Sequence, residues 1–287
     1  MKLMPTENVS GADNQQETSF EFYYFTGFCC GEISISLLRL SNRKSKKGGV
    51  YYTPDITVCN ADLPLLKEVN SVIADDCGVI SKVKGAYNIS FRGKKKVKKV
   101  LSFFKKYPPI AGDLIKSRIA LIIKAIEILE ANRSYRRSSQ KQIQLEEIRT
   151  QFSQIKKTAI SISNFPQKIF RKNAIGHFLS GVFDAEGSVG LKSNGKYKQP
   201  FVAIAMKDRK IVELFKDFFR VGHFHERPKE NILHFEIGAK KEVLFVLHQF
   251  SENYPSRLLK VKRKMEKLRR ILNDYTLGSQ LLVGKKI

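Results

Sequence analysis

The sequence predicts an α+β protein made of two pseudo-symmetric αββαββα repeats, each carrying an antiparallel sheet. Three observations predict it. An apolar helix-like run ending in a glutamate occurs twice, at 20–32 and at 173–186. The same order of period-2 and period-3.6 segments follows each run. The landmarks recur at near-constant spacing: Glu32 to Glu186 is 154 positions, Asp62 to Asp208 is 146, and Tyr107-Pro108 to Tyr254-Pro255 is 147. The change of 8 after the first landmark places a longer basic hairpin loop in the first repeat. Two such units in one chain imply a pseudo-twofold, like a C2 dimer fused by a linker.

Residues 1–18 are polar and read as a disordered lead-in. The first repeat spans 19–130. Phe20 to Gly31 is apolar or small on nearly every face, which marks a buried helix. Gly27 and Gly31 share one face and let a partner helix approach closely. Ile33, Ile35 and Leu37 alternate with their neighbours as a strand. Ser41 to Gly49 is a basic loop and Val50 to Val58 a second strand. Asp62 to Ile73 is an amphipathic helix. Val79–Val83 and Tyr87–Phe91 form a hairpin about Lys84-Gly85. Lys94 to Tyr107 is a lysine-rich helix stopped by Pro108-Pro109, and Asp113 to Leu129 is another helix. Residues 131–172 form the linker, in which Gln140 to Lys157 reads as an exposed helix.

The second repeat, 173–275, follows the same order. A helix runs from Asn173 to Ala185. Strands lie at Ser188–Leu191 and Phe201–Met206, and a helix at Asp208–Phe219. A hairpin joins Val221–His225 to Leu233–Ile237. Helices follow at Lys241–Tyr254 and Leu258–Leu272, with a tail at 276–287.

Composition narrows the function. Lys and Arg number 52 against 27 Asp and Glu, a formal charge of +25. Such an excess calls for a polyanionic partner. No apolar run is long enough to span a membrane, and Met1 to Glu21 has no secretory h-region. A soluble intracellular protein is expected, cytoplasmic or nucleoid-associated in a prokaryote, or organellar. Cys29, Cys30, Cys59 and Cys77 form no Cys-x-x-Cys pair, so they read as free thiols rather than zinc ligands or disulfides.

The chemistry follows from the two glutamates. Helices meeting along Gly27/Gly31 and Gly181/Ala185 bring Glu32 and Glu186 together at one end. Adjacent carboxylates repel, and a divalent cation relieves the repulsion. Oxygen-only ligation favours Mg²⁺, or Mn²⁺. A metal there activates water and stabilises phosphoryl charge. The expected chemistry is phosphodiester hydrolysis without a covalent intermediate.

The second run, Phe178-Leu-Ser-Gly-Val-Phe-Asp-Ala-Glu-Gly-Ser188, resembles the LAGLIDADG motif of homing endonucleases. Phe25-Thr-Gly-Phe-Cys-Cys-Gly-Glu-Ile-Ser34 resembles a drifted copy. The resemblance covers about residues 20–275 and includes the Tyr-Pro followed by a basic helix in both halves. It implies a monomeric, homing-endonuclease-like saddle of two four-stranded sheets over the DNA major groove, with the motif helices between the halves. It implies an intron-encoded enzyme cutting both strands of double-stranded DNA at a long site. Metal would be held by Glu32 and Glu186 with backbone carbonyls near Gly31 and Ala185. Helping basic residues are expected at strand-to-helix junctions: Lys94 or Lys95, and Lys240 or Lys241. The groove face is expected to include Arg39, Arg43, Lys44, Lys46, Lys47, Lys192, Lys196, Lys198 and Arg227.

Other readings stand beside these. Cys30 takes the place that Asp184 holds in the second motif, and Ile33 the place of Gly187. A glycine eases the turn from helix to strand, so impairment is expected in the first half. His177 reads as a packed histidine. His223 and His225 alternate beside Glu226 and read as a groove-side or surface pair, with metal binding as the alternative. The same fold and charge also serve an intron maturase that binds host intron RNA, or a DNA-binding protein that does not cut.

Overall fold

A computed structural model describes residues 20–41, 49–131, 139–155, 170–194 and 197–283. The element order is α1 (Phe22–Glu32), β1 (Ile33–Ser41), β2 (Val50–Asn60), α2 (Leu63–Ala74), β3 (Val79–Val83), β4 (Ala86–Arg92), α3 (Lys94–Lys106), α4 (Asp113–Glu130) and α5 (Ser139–Ile155). It continues with α6 (Lys172–Glu186), β5 (Gly187–Asn194), β6 (Tyr197–Met206), α7 (Arg209–Phe219), β7 (His223–Arg227), β8 (Ile232–Ile237), α8 (Lys240–His248) and α9 (Leu259–Val283). One sheet has the order β1-β2-β4-β3 and the other β5-β6-β8-β7, both antiparallel throughout. The repeat read from spacing is therefore a repeat of topology.

Alternation decides which face of each sheet is covered. Ile33, Val58 and Ile89 lie abreast across three strands and are buried on the helix side. One residue along, Ser34, Thr57 and Ser90 lie abreast on the open side. The second sheet repeats this, with Ile204 and Phe235 in the core and Ala203 and Glu236 on the open side. An antiparallel sheet with one solvated face suits docking of a polar ligand.

The two repeats meet through α1 and α6. A Cβ built at Gly27 falls 1.9 Å from the Phe178 carbonyl oxygen, and one at Gly181 falls 1.9 Å from that of Tyr24. Only hydrogen fits at both places, so the helices are in backbone contact. Tyr24, Phe28, Phe178, Leu179 and Val182 are buried around the crossing.

The linker helix departs from expectation. Leu145, Ile148, Phe152 and Ile155 of α5 are buried, and the helix packs on α4 and β1. Their spacing of three and four makes an apolar stripe, so α5 is a covered helix and not an exposed one. The tail also differs, since α9 continues through residue 283.

Candidate active site

Each entry helix ends by delivering its glutamate to the start of a strand. The Asn60 amide donates to Glu32 Oε1 at 2.7 Å. Gly31 lies against Glu186, with its notional Cβ 2.8 Å from the Glu186 Cγ. Burial pushes the Glu32 carboxyl up to about 7; the Asn60 hydrogen bond opposes this and the charge of Glu186 adds to it. Burial raises Glu186 as well. Among the described residues no cation is salt-bridged to either carboxylate. The half-buried Glu32 and the exposed Glu186, neither compensated by a cation among the described residues, form an oxygen-donor pair suited to a hard divalent cation.

Two clefts flank the pair and are related by the pseudo-twofold. One, of about 340 Å³, is lined by Cys30, Gly31, Arg118, Glu186, Met206 and Asp208. The other, of about 370 Å³, is lined by Asp184, Ala185, Lys264, Asn60, Asp62 and Lys260. Each cleft therefore joins the end of one repeat's second strand to the other repeat's late helix. A larger cleft of about 670 Å³ between Arg39, Tyr52 and α5 lies on the covered side of the first sheet and includes neither glutamate.

Residues 25–116 match the family model for the LAGLIDADG endonuclease. The match falls on the drifted copy of the motif. The solved structure of the LAGLIDADG homing endonuclease I-GzeII in complex with its DNA target superposes with a TM-score of 0.72 at 19% identity, over 89% of this chain and 91% of that one. The meganuclease I-CpaMI bound to uncleaved DNA gives 0.71 at 17%, over 92% and 97%. I-SmaMI, bound to uncleaved DNA in the presence of calcium ions, gives 0.71 at 15%, over 89% and 92%. Over residues 25–116 the chain is similar to that family, and as a whole it shares the two-repeat fold of these structures. No match is found among curated sequences.

The two motif helices differ between the repeats in ways that compensate. Asp184 is buried and accepts from the Tyr24 hydroxyl at 2.6 Å, from the Arg257 and Leu258 amides at 2.7 and 2.9 Å, and from the Ser256 hydroxyl. It ties α6 to the chain entering α9. In the first motif Cys30 has no such reach, and Phe178 stands where Tyr24 stands in the other helix. There Asp208 takes over the task, accepting from the Asp113 and Leu114 amides at 3.2 and 2.9 Å at the start of α4.

Ile33 was expected to strain its turn, and it does not. Its φ and ψ are −88° and 137°, and those of Gly187 are −77° and 154°, both ordinary extended backbone. Gly187 is small for a different reason: a Cβ there would sit 2.3 Å from the Phe183 ring. In the first repeat Cys29 occupies the place of Phe183, and Ile33 fills the room left. The pairs Phe183–Gly187 and Cys29–Ile33 divide similar volume in opposite ways.

The basic residues expected at the junctions are not brought to the carboxylates. Lys94 and Lys95 follow Gly93, whose amide bonds the Pro54 carbonyl at 2.9 Å. Pro54 is six residues back along β2 from Asn60, about 20 Å at the rise of a strand. Lys94 lies 3.9 Å from Glu130 instead. Lys240 and Lys241 begin α8 just after Gly238, which abuts Gln199, about 13–17 Å along β6 from the residue opposite Gly187. The residues that do line the clefts, Arg118, Lys260 and Lys264, were missed. Lys116, one turn from the start of α4, is half-buried; burial lowers its pKa, and its ammonium feels Cys30 and Asp208. The Nε of Arg118 is buried without a hydrogen-bond partner. The spacing of 146 relates Arg118 to Lys264, so the repeat itself held the signal.

On the sheets, Arg39 faces the helix layer, not the groove: it lies 3.1 Å from Glu146 of α5. Lys198 pairs with Ser193, on the parity of the covered face. Lys192 has the opposite parity, on the open face, where it bonds Glu236. Arg92, which was not anticipated, stands on the open face of the first sheet and bonds Asp55 at 3.1 Å. Arg43, Lys44, Lys46, Lys47, Lys196 and the Arg227 side chain lie outside the described residues.

Proposed function

We propose that this protein is a site-specific, metal-dependent endonuclease of double-stranded DNA. The observation that carries the reading is the pair Glu32 and Glu186, one half-buried and one exposed, close together and uncompensated by a cation among the described residues, at the C-terminal ends of two helices in backbone contact. A divalent cation such as Mg²⁺ or Mn²⁺, held by these carboxylates and by carbonyls near Gly31 and Ala185, would supply an activated water and stabilise charge on the phosphate.

The chain's own residues do the rest. Gly27 and Gly181 fix the separation of the carboxylates. Asn60 orients Glu32. Arg118 in one cleft, and Lys260 with Lys264 in the other, supply positive charge beside the scissile phosphates in place of Lys94, Lys95, Lys240 and Lys241. Lys116 backs the first of these clefts. The open faces of the sheets, polar at Ser34, Thr57, Ser90 and Arg92, read base edges by hydrogen bonds. That the similar solved proteins are held on DNA targets supports this docking.

The test is DNA spanning the uninterrupted host site, incubated with Mg²⁺ and with EDTA. A metal-dependent staggered break lost in Glu186→Gln is expected. Tight binding with no break under any divalent metal would sink the nuclease reading and leave a DNA-binding protein.

A further inference from the structure

The open face of the second sheet carries a cluster that the carboxylate pair does not use. His223 lies directly opposite Glu236 on β8, and His225 lies opposite His234. Cross-strand partners and alternate residues of one strand share a face, so all four side chains project from the same side. The ligand atoms of His223, His225 and Glu236 lie within 4.8 Å of one another. The His223 and His225 rings meet edge to face at 4.5 Å, and His234 stacks on His225 at 5.8 Å. Glu226, adjacent in sequence, is engaged elsewhere, 2.7 Å from Arg209.

We propose that His223, His225 and Glu236 form a binding site for a borderline transition-metal dication of the Zn²⁺ class. Two imidazoles and one carboxylate make a donor set that Zn²⁺ takes with an open fourth position, whereas Mg²⁺ prefers oxygen alone. Ligands about 2.0–2.1 Å from a tetrahedral ion stand roughly 3.4 Å apart. Modest rotation of the two exposed rings closes the difference. Glu236 is largely buried and held by Lys192 through Oε1, which leaves Oε2 for the ion. Lys192 is thus the competitor for the same carboxylate.

The site is separate from Glu32 and Glu186. Glu236 lies abreast of Ala203 and Ser188, two strand spacings or about 10 Å across the sheet from β5. The inference does not depend on nuclease activity, because metal binding is measured directly.

The experiment is titration of tag-free, metal-stripped full-length protein with Co²⁺, followed by the visible absorption of a tetrahedral ion, with Zn²⁺ added in competition. A saturable signal displaced by Zn²⁺ is expected. It should fall at least tenfold in affinity in His223→Asn/His225→Asn and in Glu236→Gln, and should tighten in Lys192→Ala. It should persist in Glu32→Gln/Glu186→Gln. Circular dichroism melts check that each variant folds. Absence of saturable binding, or binding lost with the two motif glutamates and not with the histidines, overturns the proposal.

Discussion

At the scale of single residues, burial and like charge set the behaviour of Glu32. Its carboxyl is raised to about 7 from an ordinary 4.5. Between those two values the folded protein holds a proton that the unfolded chain has released. Stability therefore falls as pH rises from about 4.5 to 7 and stays at the lower level above. Glu32→Gln removes this penalty. In EDTA at pH 8 its Tm is expected to exceed that of the wild type by about 2–4 °C, with little difference at pH 4.5. A divalent cation should raise the Tm of the wild type and not that of the variant. Thermal melts in a grid of pH and metal measure both. The volume exchange between the motifs is a second residue-scale test. Gly187→Ile drives a side chain into the Phe183 ring and should destabilise by about 2–3 kcal/mol or more. Adding Phe183→Cys recreates the pair found at Cys29 and Ile33 and should recover part of that loss. A double-mutant cycle in urea reads the coupling.

At the scale of elements, the contact between α1 and α6 is the least forgiving part of the molecule. Gly181→Ala places a methyl against the Tyr24 carbonyl, a rigid backbone group in the first turn of α1. The helices must separate, and separation also moves Glu32 from Glu186. The expected result is a lower urea midpoint, by at least about 2 kcal/mol, together with loss of metal-dependent stabilisation. A Cβ at Gly187 meets the Phe183 ring at 2.3 Å and the Phe183 carbonyl at 2.5 Å, so shrinking that side chain relieves part of the conflict. Helix starts give the complementary test. Asp208 alone accepts from the Asp113 and Leu114 amides, because Cys30 offers no carboxylate there. Asp208→Ala removes the acceptor from two part-buried amides and should cost about 1–2 kcal/mol. Hydrogen exchange at the start of α4 should report the loss locally.

At the scale of the whole molecule, the repeat was legible because its landmarks are covalent spacings, and spacing survives where residue identity drifts. Glu32 was found by register, not by motif. The strands followed from alternation, and the helix pair from small residues at Gly27 and Gly181. Three features were not legible, each for a physical reason. The covered face of α5 depends on where α4 and β1 leave an opening, which is a property of packing. Arg39 has the composition of a groove residue, but strand parity turns it toward Glu146. The cleft residues Arg118 and Lys264 sit near the starts of the last helices of their repeats, which cross to the other repeat's site, so the strand-to-helix junctions pointed to the wrong lysines.

The same geometry relocates the functional asymmetry. From the motifs, the first half carries the departures, at Cys30 and Ile33. Asp208 offsets the first, and the exchange with Cys29 offsets the second. The uncompensated difference lies at the strand ends. Asn60 bonds Glu32 at 2.7 Å, while its counterpart 146 positions on is Met206, a thioether with no donor to offer Glu186. If the two clefts act on opposite strands, as the proposed nuclease requires, they act at unequal rates. Supercoiled plasmid carrying the target should then pass through a nicked form before linear product appears. Met206→Asn should shorten that lag, and Asn60→Met should lengthen the lifetime of the supercoiled form. Gel quantitation of nicked and linear DNA over time distinguishes these outcomes. Simultaneous appearance of both breaks in the wild type would mean that the amide on Glu32 has no bearing on rate, and that the asymmetry is confined to packing.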